Sequence, residues 1–247
     1  NKMMIDRGDE QSIDDDLSPY SSHLRNMKAF VRYADDFDIF VKSEMAAERV
    51  MKSVTSWLER KLFLKVSATK TKVVRPTSSN FLGFTFWKST KGWLPKPTND
   101  RKAKLRKKVK EVLLRKKAAA VPLAQTFTKL NQILRGWINY FRIGSMKGFL
   151  KELGEWLRHK VRVVIVKQWK KPETIYKNLA ILNRVQRCGF TDEDLFKCAN
   201  SRLGIYRKVG MSGYNYLLSP TILGTPNMKE GRPGLIDPLK YYLEGLQ

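Results

Sequence analysis

The first half of the chain begins with a pattern that predicts a β-hairpin. Residues 30–41, FVRYADDFDIFV, place two apolar, β-favouring arms around a polar centre. Ala34, Asp35 and Asp36 occupy that centre, where we expect the turn. The preceding residues, 1–29, are polar and show no sustained period of 2 or 3.6, so they are predicted to be a leader or linker.

An amphipathic helix and further strands are predicted behind the hairpin. Ser43 is a suitable N-cap, and apolar residues then recur at steps of three and four to about Lys61. Apolar and polar residues alternate over 64–67, and residues 72–74 are rich in β-favouring valine. Over 81–87, large aromatic residues alternate around a glycine. Strands or a second hairpin therefore follow the helix.

The second half of the chain is predicted to be helical. Pro95, Pro97 and the capping residue Thr98 mark a boundary near residue 98. Apolar residues at helical spacing then predict five helices as far as Gly204, and a Gly- and Pro-rich, irregular tail follows from residue 211. The predicted breaks between helices lie at Pro122, Gly144, Pro172 and Gly189. The resulting fold class is α+β, with segments at 1–29, 30–98, 99–210 and 211–247.

Composition and charge narrow the class of protein. The chain has 247 residues, 42% of them hydrophobic, which is enough for ordinary cores and excludes a disordered basic tail. The longest apolar runs have four residues, so no membrane helix and no membrane partner are expected. Two cysteines cannot form a disulfide framework, which favours a reducing compartment, a bacterial cytoplasm or an organelle interior.

The charge indicates a nucleic-acid partner. Lys and Arg number 48 against 23 Asp and Glu, a formal net charge of +25, and nucleic acid is the commonest polyanion that neutralises such an excess. Residues 101–117 contain ten bases and one acid. A solvated helical face usually mixes both signs, so we expect this one to bind phosphate, with a merely soluble face as the alternative.

Two adjacent carboxylates provide the candidate chemistry. Asp35 and Asp36 would repel each other at a hairpin turn unless they shared a cation, and Mg²⁺ is typically held by one or two carboxylates together with substrate phosphates. Ordinary turn chemistry is the alternative, because Asp favours turns for its own backbone hydrogen bonds.

The string around these aspartates resembles the signature of a known family. Tyr33-Ala34-Asp35-Asp36 between apolar strands resembles the YxDD motif of reverse transcriptases. Residues 64–72, with Lys70-Thr71-Lys72, resemble the strand and turn after the palm helix, and 81–84 resemble the primer-grip hairpin. Residues 134–141, LRGWINYF, with 156–160, WLRHK, resemble the maturase domain, also called domain X or the thumb. The chain thus resembles the C-terminal part of a group II intron-encoded reverse transcriptase and maturase.

The resemblance implies nucleotidyl transfer assisted by two Mg²⁺ ions. Asp35 and Asp36 would be metal ligands, and Tyr33 and Ala34 would lie beside the incoming nucleotide and the primer end. Lys70 could protonate the leaving pyrophosphate. The alternative, of equal weight, is that Lys70 is only a solvent-exposed lysine in a turn. The residues that would hold the primer terminus, unless they form only a core hairpin, are Phe81, Leu82, Gly83 and Phe84.

The resemblance also implies several nucleic-acid partners: the intron RNA, an RNA template with its DNA primer, and a target DNA, with deoxynucleoside triphosphates as the small-molecule substrates. Trp137, Tyr140 and Phe141 have the spacing of core residues rather than of a stacking platform. The cations expected to contact RNA are Arg101, Lys102, Lys104, Arg106, Lys107, Lys108, Arg135, Arg142, Arg158 and Lys160.

One departure from the family limits what we expect of this chain. The two-metal site needs a further aspartate from an earlier strand, and fingers precede it, yet only 34 residues stand before Asp35. Asp6 follows a short apolar run but lacks the family's surrounding pattern. We therefore expect no polymerisation by this chain alone. A non-catalytic RNA-binding splicing cofactor is the alternative function, and a generic basic ribonucleoprotein component would explain the charge but not the motifs.

Overall fold

The chain divides into two compact units, Asn1–Thr98 and Asn99–Gln247. The division falls directly after Thr98, close to the proline pair in the sequence. A computed structural model describes residues 2–5, 29–34, 36–90, 92–228 and 231–246.

The first unit is built on a four-stranded mixed sheet. Its strands are β1 (Lys2–Ile5), β2 (Ala29–Tyr33), β3 (Asp36–Val41) and β4 (Lys72–Val74), in the order β2-β3-β1-β4. β2 and β3 form the predicted antiparallel hairpin, while β1 runs parallel to both β3 and β4. Residues 2–5 therefore belong to the sheet, and the prediction that they lie in a leader or loop is wrong.

Helix α1 (Glu44–Lys61) connects β3 to β4 and begins where the sequence predicts. The Ser43 hydroxyl accepts a hydrogen bond from the Ala46 backbone N–H at 3.2 Å, which satisfies one of the free donors of the first turn. Ile39 and Val41 of β3 pack on Ala47 of the helix to form a small buried core. This packing holds α1 against the sheet and so fixes where the chain enters β4 relative to β3.

A second hairpin follows in the first unit, formed by β5 (Phe84–Ser89) and β6 (Gly92–Pro97). Phe81 and Phe84 exchange backbone hydrogen bonds of 3.0 and 2.8 Å across a two-residue turn. Both turn residues have positive φ, 52° at Leu82 and 86° at Gly83, which is the geometry of a type I′ turn. Glycine adopts this geometry readily, whereas leucine is strained in it.

The second unit is all helical in its regular structure. Its core is built by α4 (Leu123–Tyr140) and α5 (Lys147–Trp169), whose fully buried residues Phe127, Leu130, Leu150 and Leu157 recur at helical spacing. The predicted breaks at Pro122, Gly144, Pro172 and Gly189 fall at or between helix ends. The helices are α2 (Asn99–Val112), α3 (Arg115–Ala118), α4 (Leu123–Tyr140), α5 (Lys147–Trp169), α6 (Pro172–Gln186), α7 (Asp192–Asn200), α8 (Ile205–Lys208), α9 (Ser212–Leu217), α10 (Pro220–Gly224) and α11 (Pro238–Glu244).

The C-terminal segment is more regular than the sequence predicts. Three helices, α9 to α11, lie where an irregular tail is expected. Asn131 of α4 holds the segment between α10 and α11: its amide Nδ2 donates to the Gly234 carbonyl at 2.7 Å, and its Oδ1 accepts from the Ile236 N–H at 3.0 Å. The Tyr242 hydroxyl donates to the Gly144 carbonyl at 2.9 Å. This segment is therefore part of the helical unit.

Over the described part of the chain, no helix combines the length and the apolar character that crossing a bilayer requires.

Candidate functional site

An open groove in the first unit brings together side chains from three separate segments. Its volume is about 630 Å³. Strand β3 contributes carboxylates, the segment entering β4 contributes cations, and the turn before β5 contributes apolar side chains. These residues are Asp36 and Asp38, Lys70 and Lys72, and Phe81 and Leu82.

The acidic wall of the groove follows from the period of a β-strand. Residues two apart on a strand face the same side of the sheet, so Asp36 and Asp38 share one face of β3. Asp36, at the start of the strand, is exposed, whereas Asp38 is 2% exposed. Asp38 was not among the predicted site residues, although its spacing of two from Asp36 is a signal that could have identified it.

The basic wall is formed by a turn between α1 and β4. The Lys70 backbone N–H donates to the Ser67 carbonyl at 3.1 Å, and the hydroxyls of Ser67 and Thr69 lie 3.1 Å apart. This turn places Lys70 on the same groove as Asp36, which lies 34 positions earlier in the chain. The local sequence forms the turn. The packing of α1 on the sheet brings that turn close to Asp36.

Of the four residues predicted to hold a primer, two line the groove. Phe81 and Leu82 do so, while the Gly83 carbonyl accepts a hydrogen bond from the Thr98 N–H at 2.9 Å and Phe84 opens β5. The positive φ of Leu82 holds this turn in a sparsely populated conformation beside the acidic wall.

At the tip of the first hairpin, Tyr33 pairs with Asp36 in the strand register, which leaves a two-residue loop. Ala34, the first loop residue, has a φ of 54°, and its carbonyl accepts a hydrogen bond from the Arg32 Nε at 2.8 Å. Tyr33 is exposed. The second loop residue, Asp35, lies outside the described residues.

The further aspartate expected from an earlier strand is not among the described residues. Within the ranges that the structure describes, no three His, Cys, Asp or Glu side chains converge on one point. Asp6 lies outside those ranges. Strand β1, which precedes it, ends with Ile5 opposite Val41, at the end of β3 that is remote from Asp36.

Helix α2 carries the basic run of the second unit. Leu105 and Val109 are buried, and most of the basic side chains between and beside them are exposed. Some of the cations have partners: Lys104 Nζ lies 2.8 Å from Asp100 Oδ2, and Arg106 Nη2 lies 2.9 Å from Glu152 Oε1. Lys102 and Arg106 also lie over the Phe149 ring, 5.4 and 5.6 Å from its centroid. The exposed cations predicted to contact RNA on this helix include Arg101, Lys107 and Lys108.

The remaining cations predicted to contact RNA differ in their surroundings. Arg135 is exposed. Arg142 donates from Nη2 to Asn139 Oδ1 at 2.8 Å and lies 5.6 Å from the centroid of the Tyr241 ring. Arg158 Nη1 lies 2.8 Å from Asp237 Oδ2. Arg142 and Arg158 therefore have structural contacts within the unit, and their contact with RNA stays a prediction.

Lys160 belongs to a cluster that the sequence analysis did not identify. Its Nζ lies 4.8 Å from the centroid of the Tyr206 ring, and the His159 ring packs against the same tyrosine with centroids 4.2 Å apart. Burial, followed by the charges of Lys110 and Arg115, lowers the pKa of Lys160. Tyr206 is the second residue of a one-turn helix, so no local pattern signals its position.

Comparison with known families adds to this geometry. Residues 11–86 match the family described as "Reverse transcriptase (RNA-dependent DNA polymerase)", and residues 102–180 match "Group II intron, maturase-specific domain". The first match includes β2 to β4 and the groove, and it begins within the segment for which the sequence pattern gives no family assignment. The second match begins in α2 and ends in α6. No curated protein matches the chain.

Proposed function

Because the chain belongs to the group II intron reverse transcriptases and maturases, we propose that its helical unit binds intron RNA to promote splicing and that its first unit supplies the YADD hairpin for RNA-templated DNA synthesis. The observation that carries this proposal is the groove of the first unit. It combines a carboxylate of the YADD string, the lysine of the following turn and two residues of the primer-grip turn.

The donor atoms at the groove fit Mg²⁺. The exposed carboxylate of Asp36 is a hard oxygen ligand beside open space, and magnesium needs only one or two such carboxylates when phosphate oxygens and water complete its shell. Asp36 would hold the ion, together with Asp35 from the same turn. When bound, the metal polarises the attacked phosphate and lowers the pKa of an attacking hydroxyl.

The other groove residues have separate tasks in this proposal. Lys70 lines the same groove as the carboxylates, and its ammonium would neutralise the leaving pyrophosphate and donate a proton to it. Phe81 and Leu82 present apolar surface that would pack against the primer end and orient it. Tyr33, exposed beside the hairpin turn, would contact the incoming nucleotide.

The helical unit would bind RNA through charge. The exposed lysines of α2 suit contacts with phosphates, which position an RNA without reading its sequence. Each phosphate neutralised makes the affinity more dependent on salt. The target DNA and the template would use the same kind of contact.

Two measurements test the proposal. Splicing of a group II intron RNA at limiting Mg²⁺ should be accelerated by the chain, and binding should weaken steeply as salt is raised. Primer extension on an RNA template, run with and without the family's fingers and earlier palm strand added in trans, tests the second part: Mg²⁺-dependent synthesis in either reaction, abolished in Asp36→Asn, supports an enzyme. Binding and splicing without synthesis support the alternative, a splicing cofactor. Absence of salt-dependent RNA binding would contradict both.

A further inference from the structure

Tyr206 is held on the surface of the helical unit by two residues of a neighbouring helix. α8 packs against α5, with the Lys160 ammonium 4.8 Å from the tyrosine ring centroid and the His159 ring 4.2 Å from it. After both contacts are made, Tyr206 is still 49% exposed. The ring is thus fixed in place while much of its surface stays open to a ligand.

Two further cations lie within electrostatic reach of Lys160. Burial is the main cause that lowers the pKa of this lysine of α5, and the charges of Lys110 of α2 and Arg115 of α3 lower it further. Among the residues that the structure describes, none of the three forms an ion pair with a carboxylate. Like charges gathered without a counterion repel one another, and a bound anion would relieve this repulsion.

His159 positions the ring rather than adding to the charge. Burial is the main cause that lowers the pKa of His159; the Tyr206 backbone opposes this shift and the charges of Arg162 and Lys160 add to it, and the net lowering favours the neutral imidazole at physiological pH. A neutral ring packs against Tyr206 without adding a fourth cation to the cluster. The cluster therefore combines a fixed aromatic ring with three cations.

An aromatic ring beside uncompensated cations suits one class of ligand. A base inside a duplex is already stacked on its neighbours, whereas an unpaired base has a free face that can stack on tyrosine. The adjoining phosphate would be neutralised by the cations. We infer that Tyr206, with Lys160, Lys110 and Arg115, forms a binding site for an unpaired nucleotide of RNA, its base against the tyrosine and its phosphate among the three cations. This inference rests on the proposed function of RNA binding.

The test compares two RNA probes: a single-stranded oligonucleotide without secondary structure and an RNA duplex of the same length. Affinities are measured by fluorescence anisotropy at several salt concentrations. Tyr206→Leu should weaken single-strand binding by roughly 5- to 100-fold and leave duplex binding unchanged, since base stacking on one aromatic side chain is of that size. Tyr206→Phe, which keeps the ring, should bind like the wild type. Lys160→Gln should lower the salt slope for the single strand by about 0.7.

Tyr216 of α9 is the matched control, because it is also exposed, at 65%, and packs against an aromatic ring, that of Phe190. Tyr216→Leu should bind both probes like the wild type. A Tyr206→Leu variant that matches this control, or that loses duplex binding to the same extent, would overturn the inference. If the wild type binds neither probe in a salt-dependent manner, the proposed function itself fails.

A second readout does not depend on how a variant folds. When the wild-type chain is photocrosslinked to single-stranded RNA containing 4-thiouridine, the label should appear on the tryptic peptide 203–207, which contains Tyr206. Labelling that is confined to other peptides would refute the site.

Discussion

Arg158 of α5 forms an ion pair with Asp237, and the same aspartate caps α11. Arg158 Nη1 lies 2.8 Å from Asp237 Oδ2, while Asp237 Oδ1 accepts hydrogen bonds from the N–H groups of Leu239 and Lys240, each at 3.0 Å. The two side chains are 19% and 33% exposed, so the pair is partly shielded from solvent. A single carboxylate thus joins the longest helix of the unit to the last one.

We expect Asp237→Ala to lower the free energy of unfolding by about 1–2 kcal/mol, because it removes an N-cap and a partly buried ion pair together. Urea denaturation of the full chain measures the change. Lys240→Gln is the control: its pair with Glu244 spans 3.8 Å on the surface, and its loss should have almost no effect. Equal losses in both variants would show that the cap does not stabilise α11.

The salt dependence of RNA binding should depend on α2. Replacing Lys104, Lys107 and Lys108 together by glutamine should lower the slope of affinity against salt by about 2–3, since each phosphate contact contributes roughly 0.7–0.9. The same triple change at Lys170, Lys171 and Lys177 removes equal charge from another part of the unit and should have the smaller effect. If the two triples are indistinguishable, RNA binding depends on net charge alone.

Stability should fall on acidification because of His159. Burial lowers the pKa of this imidazole in the folded state below its usual value, so the unfolded chain binds the proton first as the pH falls. The stability present at neutral pH is therefore lost progressively as the pH drops through the ordinary histidine range, about 6.5, toward the folded value. Urea titrations at several pH values should show a shallower loss for His159→Gln than for the wild type. His23→Gln, which changes the other histidine of the chain, is the comparison.

A substitution at Leu82 should change the stability of the chain and its binding of a primer in opposite directions. Its φ of 52° is strained for leucine in a type I′ turn, and asparagine is preferred at that position. We expect Leu82→Asn to stabilise the chain by about 0.5–1 kcal/mol. If the leucine also packs against a primer, the variant should bind a primer–template duplex more weakly than the wild type. A variant that is more stable and binds equally well would show that the turn has no such role.

Patterns that are local in sequence predicted most of the fold. The hairpin around the YADD string and the cap at Ser43 are both confirmed, since each depends on residues a few positions apart. The family resemblance is confirmed as well. Strand β1 was missed because its four residues are ordered by parallel neighbours far along the chain, and such pairing leaves no local signal.

The same distinction explains the site. Asp36 and Lys70 could be singled out from family motifs, but only the packing of α1 shows that they share a groove. For Arg158, the sequence suggests one partner and the structure shows another. It was predicted to contact RNA because it lies in a basic string, and its partner, 79 positions downstream, could not be anticipated. Tyr206 could not be singled out either, because its neighbours Lys160 and His159 come from α5, a helix distant in the sequence.

The clamp that Asn131 makes on Gly234 and Ile236 has a consequence for biosynthesis. Its two hydrogen bonds join positions 103 and 105 apart in the chain, and the hydrogen bond of Tyr242 to Gly144 joins positions 98 apart. During translation the α4–α5 pair leaves the ribosome long before those partners exist. The nascent helical unit is therefore incomplete until residue 242 has left the exit tunnel of the ribosome.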